Sequence, residues 1–568
     1  MKKKILSLCM TAAVALSSCM PAGAEEPALP FPDVPADSWA APYITQAKEN
    51  KLINGYGDGR FGYGDTITRG EFAGLLVNLF QWETEIPVKP SYSDVDPSAW
   101  YYAYVETALA NGAVQKEETF RPADAITREE MAVILVDALG FHGAYDHLDT
   151  SQTPFTDVTS HQGAITMAYD FGIINGTSAT TFAPNDTATR EQAAAMMVNL
   201  FQKLQEKYDF KTGFYAFSSF SQVDLISGLD SVCFGWSKMD VNENGIFVNT
   251  SSANQNEWSI PNGFETPLAA AESARASAML SVYMDRTQKY TKADGTTALV
   301  SDTVLLDAAS REKAAEAIAE QVRLDNRFDG AVIDFEALKG ETYKAAFNSF
   351  LETLSFKLKA DGKQLYVTVP PVLPNGQEYF DGYDYTKIGA LADKVILMAY
   401  DYEATSLTAS EMEAGYTFTP LTPFEDVYYA VKAILDPVTG VLDHSKVVLG
   451  LSFDSAQWMK QNDKVLNSIP LRPTYSRITE RLQMAGASVS YHERYRNPML
   501  TFYDETDQTD NIVWYEDERS IGDKLLMAKL LGVDGMSVWR LGNIPNTSDL
   551  TTGGRDLYFD VWNLIQNS

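Results

Sequence analysis

The stretch Asp329-Gly330-Ala331-Val332-Ile333-Asp334-Phe335-Glu336 decides the reading of the chain. Strand side chains point to opposite faces with a period of two, so Gly330, Val332, Asp334 and Glu336 share one face and Ala331, Ile333, Phe335 and Ala337 the other. The second face is apolar and suits contact with helices. The first ends in two carboxylates, which are costly to bury as structure alone. They belong where barrel enzymes carry their chemistry, at the C-terminal end of a parallel strand. The segment therefore reads as one strand of an α/β barrel.

Working outward, short β-rich apolar runs alternate with helical stretches from about Lys211 to the end. The strands expected are Phe214 to Phe217, Ser231 to Trp236, Ala278 to Met284, Ala331 to Glu336, Leu365 to Pro370, Lys394 to Tyr400, Val447 to Ser452 and Gly535 to Trp539. Helical stretches such as Ser310 to Arg323 and Glu341 to Lys359 separate them, which favours a (β/α)8 barrel of the TIM type over an open sheet. The run from Pro470 to Glu516 is too long for a loop, and its Tyr, Thr and Val content predicts a small α+β insertion.

Upstream, a unit of about 60 residues occurs three times. The first copy carries Phe31-Pro32-Asp33-Val34, Trp39 and Ile67-Thr68-Arg69-Gly70-Glu71-Phe72. The second carries Tyr92-Ser93-Asp94-Val95, Trp100 and Ile126-Thr127-Arg128-Glu129-Glu130. The third has Phe155-Thr156-Asp157-Val158 and Ala188-Thr189-Arg190-Glu191-Gln192, with Gln162 roughly where a tryptophan would stand. Thr before an acidic first turn and an apolar helical pattern is an N-cap signature. Each copy is a helical hairpin that cannot bury both helices alone, so the three are expected to pack into one all-α bundle.

At 568 residues the chain needs more than one core. The reading divides it into a signal peptide at 1–24, repeats at 30–85, 90–145 and 153–207, and a barrel at 212–566 with its insertion at about 470–516. Lys2-Lys3-Lys4, the apolar run from Ile5 and Ala22-Gly23-Ala24 form the secretory signal, with cleavage after Ala24. The alternative is a lipoprotein box, Leu16-Ser17-Ser18-Cys19, with Cys19 lipidated. Two of the three cysteines lie in this region, so an internal disulfide is excluded and Cys233 reads as a buried small hydrophobe. A net charge of −31 opposes nucleic acid as a partner, and no later apolar run is long enough to span a bilayer. The five histidines do not cluster, so no metal and no cofactor is expected.

The repeats resemble S-layer homology (SLH) domains over about residues 30 to 203. That resemblance implies noncovalent anchoring to a secondary cell-wall polysaccharide at a bacterial surface. Arg69, Arg128 and Arg190 would face its acidic groups, Trp39 and Trp100 would offer rings to sugar, and Asp33, Asp94 and Asp157 complete the set. The alternative is that Asp, Trp and Arg only cap and pin each hairpin.

Asp329 to Glu336 resembles the D-x-x-D-x-D-x-E signature of glycoside hydrolase family 18. Met398-Ala399-Tyr400-Asp401, Gly450 with Trp458, and Gly535-x-x-x-Trp539 follow in the family's order. Val513-Trp514-Tyr515-Glu516-Asp517 with Ser520 and Lys524 is similar to the spore cortex-lytic N-acetylglucosaminidase branch. The resemblance implies cleavage of an N-acetylated glycan, peptidoglycan or chitin-like, with the substrate's own acetamide as nucleophile. Glu336 would be the acid and base, while Asp334 and Tyr400 would hold the acetamide. Trp539 would be the floor beneath the sugar, and Asp401, Met398 and Tyr215 further contacts. The competing class is a catalytically inactive, lectin-like glycan binder, which typically lacks the acid retained here at Glu336. One departure matters: Val332 occupies the middle acidic position, so some other donor must set the charge and rotamer of Asp334, and the acid limb of activity is expected to change.

Overall fold

A computed structural model describes residues 30–568 except 152, 254–255, 374–380, 403–405, 485, 548–550 and 553–554. The expected signal peptide and Cys19 lie outside the described residues.

Eight parallel strands close into a barrel: Phe210–Tyr215, Ser231–Asn242, Ser277–Asp285, Gly330–Glu336, Gln364–Val369, Lys394–Leu397, Val447–Ser452 and Gly535–Trp539. The first pairs in parallel with both the second and the eighth, which closes the barrel, and a ninth strand, Gly245–Asn249, pairs antiparallel with the far end of the second. Val332 sits inside with Phe214, Cys233, Met279, Tyr366, Ile396 and Val448, one residue from each of seven strands. Phe335 points outward and stacks on Phe350 of the helix Gly340–Ala360, ring centroids 5.2 Å apart. The alternation read from Gly330 to Glu336 is thus the division between barrel interior and helical layer. Cys233 is buried and unpaired, as its apolar surroundings require.

Several boundaries differ from expectation, and the second strand runs on to Asn242 rather than ending at Trp236. The first strand begins four residues earlier, at Phe210, and ends at Tyr215 rather than Phe217. The sixth ends at Leu397, although the Met398 amide still donates to Val369 O at 2.9 Å. The insertion begins at Ala456 rather than near 470: Ala456–Gln461 pairs antiparallel with Thr509–Trp514 in a five-stranded sheet with its own small core around Ile478, Leu500 and Val513. Trp458 therefore belongs to this sheet, fully buried, its indole N–H donating to Thr419 Oγ1 at 2.7 Å.

The segment from Val513 to Lys524 is a joint. Glu516 and Lys524 form an ion pair at 2.9 Å, both 2% exposed. Asn497 Nδ2 and the Thr422 hydroxyl also donate to Glu516. Asp517 accepts from the Arg519 and Ser520 amides and so caps the helix Glu518–Leu531. A buried pair satisfied on all sides holds two elements in register, and losing one partner would strand a charge.

The N-terminal region is helical: Ala41–Glu49, Arg69–Phe80, Tyr102–Ala110, Arg128–Ala138, Gln162–Asp170 and Arg190–Gln205. Thr68, Thr127 and Thr189 each make a full capping box, as their sequence pattern predicts. Three isolated bridges, Thr66 to Thr189, Thr68 to Ala125 and Thr127 to Thr187, join the three hairpins in a ring. This region also packs on the barrel: Lys203 Nζ donates to Leu530 O at 2.9 Å, Lys432 Nζ pairs with Asp170 at 2.6 Å, and Phe141 meets Phe424 at 5.2 Å.

Candidate active site

Strand alternation and register assemble the site. Asp334 is 4% exposed and points inward above Val332. Thr368, inward-facing on the neighbouring strand, donates its hydroxyl to Asp334 Oδ1 at 2.7 Å. The donor that the sequence left unnamed is thus a threonine hydroxyl from the next strand. Glu336, one inward step further, reaches the rim and is partly exposed.

The third strand sets Tyr283 beside Asp334 and Asp285 beside Glu336 in register. Trp258 stacks face to face on Tyr283, centroids 4.1 Å apart and planes within 7°. Applying the period of two to this strand would have exposed Tyr283 and Asp285, and Thr368 likewise on the fifth. Trp258 lies in a loop, where no pattern signals it.

Burial raises the pKa of Asp334, with the Thr368 hydrogen bond opposing. Burial also raises Glu336, and the negative charges of Asp334, Asp285 and Asp401 raise it further. Two carboxyls so close cannot both ionise at ordinary cost, and Glu336, with more acidic neighbours, keeps its proton longer. A protonated carboxylic acid at a barrel mouth near neutral pH is a proton donor.

The remaining expected residues divide. Tyr400 stands near this group: burial, then the charges of Asp334, Asp401 and Glu336, push its hydroxyl well above the ordinary value. Gly450 makes room for it, since a Cβ there would lie 3.0 Å from Tyr400 Cε1 and 2.7 Å from Leu397 O. Asp401 adopts the left-handed conformation at φ 58°. Its side chain is 45% exposed and faces Arg472 at 4.0 Å. Met398 is half-buried. Trp539 packs edge-on against Phe214 at 5.3 Å and lines a cleft of about 750 Å³ with Phe217, Trp258, Asp454 and Arg540. Tyr215 also lines this cleft. Strand alternation gives the inward place to Phe214, and the Tyr215 ring packs in the outer layer against Phe234 and Trp236 at 5.6 and 6.1 Å. A larger hollow of about 1340 Å³, between the N-terminal region and the barrel's flank, holds none of the expected site residues.

The eight residues expected on the wall polymer also separate. Asp33, Asp94 and Asp157 engage the loop amides of their own hairpins: Asp33 accepts from the Phe61, Gly62 and Tyr63 amides, Asp94 from Phe120 and Arg121, Asp157 from Phe182 and Ala183. The arginines pin each hairpin to the next. Arg69 donates to Phe120 O and Glu130, Arg128 to Phe182 O and Asn175 O, and Arg190 closes the ring on Phe61 O and Glu71. Trp39 and Trp100 stay open, 56% and 61% exposed. Each edges a groove of about 350 Å³: Trp100 with Asn54, Tyr56 and Arg190, and Trp39 with Asn175, Thr177 and Arg128 in a groove of about 340 Å³. The third hairpin offers no counterpart, for the chain at Tyr145 closes over Gly163, where a Cβ would lie 2.0 Å from Tyr145 O.

The family model for glycosyl hydrolases family 18 matches residues 293–543, and the S-layer homology model matches residues 30–73, 91–132 and 154–194. Exoglucanase XynX of Acetivibrio thermocellus is 31% identical over 188 residues, 32% of this chain and 17% of that protein. A Bacillus subtilis protein, named provisionally as the sporulation-specific glycosylase YdhD, is 25% identical over 216 residues, 38% of this chain and 47% of that protein. The chain thus spans less than half the length of these curated relatives. The spore cortex-lytic enzyme SleL of Bacillus cereus superposes with a TM-score of 0.49 at 18% identity, over 64% of this chain and 75% of that one.

Replacing Glu336 by Gln tests the buried proton without assuming any reaction. A carboxyl whose folded pKa is raised contributes stability below the unfolded value of 4.5 and loses it as pH rises through the folded value. Glu336→Gln should therefore melt with the parent near pH 4 and above it at pH 8, by about 2 °C or more. A melting difference that does not change with pH contradicts the assignment.

Proposed function

We propose that this chain, which carries three S-layer homology repeats and a family 18 glycosyl hydrolase domain, is an exported, cell-surface glycoside hydrolase. It cleaves a β-linked glycan containing N-acetylglucosamine. The observation that carries the reading is the pair Asp334 and Glu336: adjacent inward residues of one strand, both raised by burial, at the mouth of a barrel whose cleft has Trp539 in its wall.

In this mechanism the sugar lies on Trp539, and Glu336 protonates the glycosidic oxygen as the bond to the anomeric carbon breaks. The substrate's acetamide oxygen closes on that carbon to give an oxazolinium ion, so no second carboxylate attacks. Asp334, ionised and held by Thr368, orients the acetamide N–H and balances its developing positive charge. Tyr400 donates to the acetamide oxygen, and Met398 and Asp401 line the same side. Glu336, now ionised, then takes a proton from the water that opens the ring. Both carboxyls are raised, so the bell of activity against pH lies above that of an ordinary carboxylate pair. The acid limb follows Asp334 and the alkaline limb Glu336.

Anchoring rests on the two open grooves. Trp39 and Trp100 present ring faces beside Arg128 and Arg190, whose guanidiniums still border the grooves, an arrangement that suits an anionic wall polysaccharide. The aspartates hold the loops of their hairpins through backbone amides.

Glu336→Gln should lower release of reducing sugar from N-acetylated glycan by about 100- to 10,000-fold while the protein still binds it. Equal turnover by both forms contradicts the role of Glu336, and no turnover by the parent on peptidoglycan, chitooligosaccharide or N-glycan leaves a glycan-binding protein. Thr368→Val should move the acid limb up by about one pH unit, with Thr368→Ser restoring it. A limb unmoved by valine would remove Thr368 from the mechanism. Trp39→Ala with Trp100→Ala should release the protein from sedimented walls, with melting unchanged. Retention by the walls would place anchoring elsewhere.

A further inference from the structure

Arg540 is the one cation among the described residues lining the cleft. It directly follows Trp539 at the end of the eighth strand, and its guanidinium donates to Ser218 Oγ in the 3-10 helix Phe217–Gly228 that follows the first strand. No carboxylate of the described residues lies within ion-pairing distance of it. Several arginines elsewhere are ion-paired: Arg190 with Glu71, Arg494 with Glu425, Arg496 with Asp523, Arg519 with Asp517. At the other edge of the site Arg472 stands 4.0 Å from Asp401. Arg128 and Arg311 also lack an acid, but their guanidiniums engage backbone carbonyls, whereas the Arg540 guanidinium is held by the Ser218 hydroxyl and lines the cleft.

The surroundings sharpen the point. Glu257 and Asp454 share the cleft lining, and Asp285, Asp334 and Asp401 stand at the barrel mouth around the protonated Glu336. This field repels an anionic ligand unless a cation meets the anion directly. Guanidinium and carboxylate match as a two-pronged pair, and partial exclusion of water strengthens it.

We infer that Arg540 receives a carboxylate borne by the glycan. The cleft then selects an N-acetylated glycan whose sugar next to the one on Trp539 carries an acidic substituent, such as the lactyl ether of a muramic acid residue, over a neutral chitin-like chain. The inference rests on the cleft being the glycan site proposed above. It assigns Arg540 to recognition and leaves bond cleavage to Glu336 and Asp334.

The test uses the full chain and three probes: a peptide-free tetrasaccharide of alternating N-acetylglucosamine and N-acetylmuramic acid, the same tetrasaccharide with its carboxylates converted to methylamides, and chitotetraose. Binding is measured calorimetrically on Glu336→Gln, so the result does not depend on turnover. The acid form should bind roughly tenfold or more tightly than its methylamide, and added salt should narrow the gap. Arg540→Gln in the same background should bring the ratio close to one, whereas Arg540→Lys should keep part of it. Equal binding of acid and methylamide, a preference that survives Arg540→Gln, or no binding of any probe overturns the inference. Turnover by the parent reads the hydrolase proposal separately: cleavage without a carboxylate preference sinks only the role of Arg540, and a preference without cleavage sinks only the hydrolase.

Discussion

Two carboxyl groups withdrawn from water at the end of one strand are the constraint around which the barrel is organised. A buried carboxylate is unfavourable, and a second beside it more so. The structure tolerates the pair by keeping a proton on it and by giving Asp334 one fixed hydrogen bond from Thr368. Rigidity elsewhere makes that arrangement stable: Phe335 is locked behind the strand by Phe347 and Phe350, Val332 closes the floor, and Tyr283 is braced by Trp258. Val332 also explains why the neighbouring strand must contribute. With an apolar residue beneath Asp334, its hydrogen bond comes from the inward face of the neighbouring strand.

The N-terminal region solves a different problem with equally few interactions. Each hairpin is too small to be stable alone, and each sends one arginine into the next until the third returns to the first. The same three arginines therefore join the ring and border the grooves that Trp39 and Trp100 overhang. Packing and groove lining fall on the same arginines, so replacing one would disturb both, whereas the exposed tryptophans touch only the grooves. Contacts such as Phe141 with Phe424 and Lys203 with the Leu530 carbonyl tie the ring to the barrel.

Much of this was legible in the sequence because it rests on periodicity. The alternation from Gly330 to Glu336 gave the barrel face, the Thr-x-x-Glu or Thr-x-x-Gln spacing gave the helix starts, and repetition gave the three hairpins. What pattern could not give was choice between adjacent residues or between partners. Tyr215 and Phe214 are both aromatic, and only the start of the first strand at Phe210 determines which points inward. Asp33 and Arg69 look like ligands for an acidic polymer until the loop amides and carbonyls that engage them are known. Trp258 and Arg540 depend on where loops return to the cleft. The small sheet was placed too late because Ala456–Gln461 follows directly on a barrel strand.

The chemistry of the barrel mouth turns on whether Glu336 holds its proton in the folded protein at a pH where an ordinary glutamic acid has lost it. Titrating the folded chain with carbon-13 labelled glutamate, and assigning the signal by its disappearance in Glu336→Gln, measures this directly. The account predicts one glutamate carboxyl still protonated at neutral pH and titrating far above the ordinary value of 4.5. A Glu336 signal that titrates near that ordinary value, with no raised group, contradicts it.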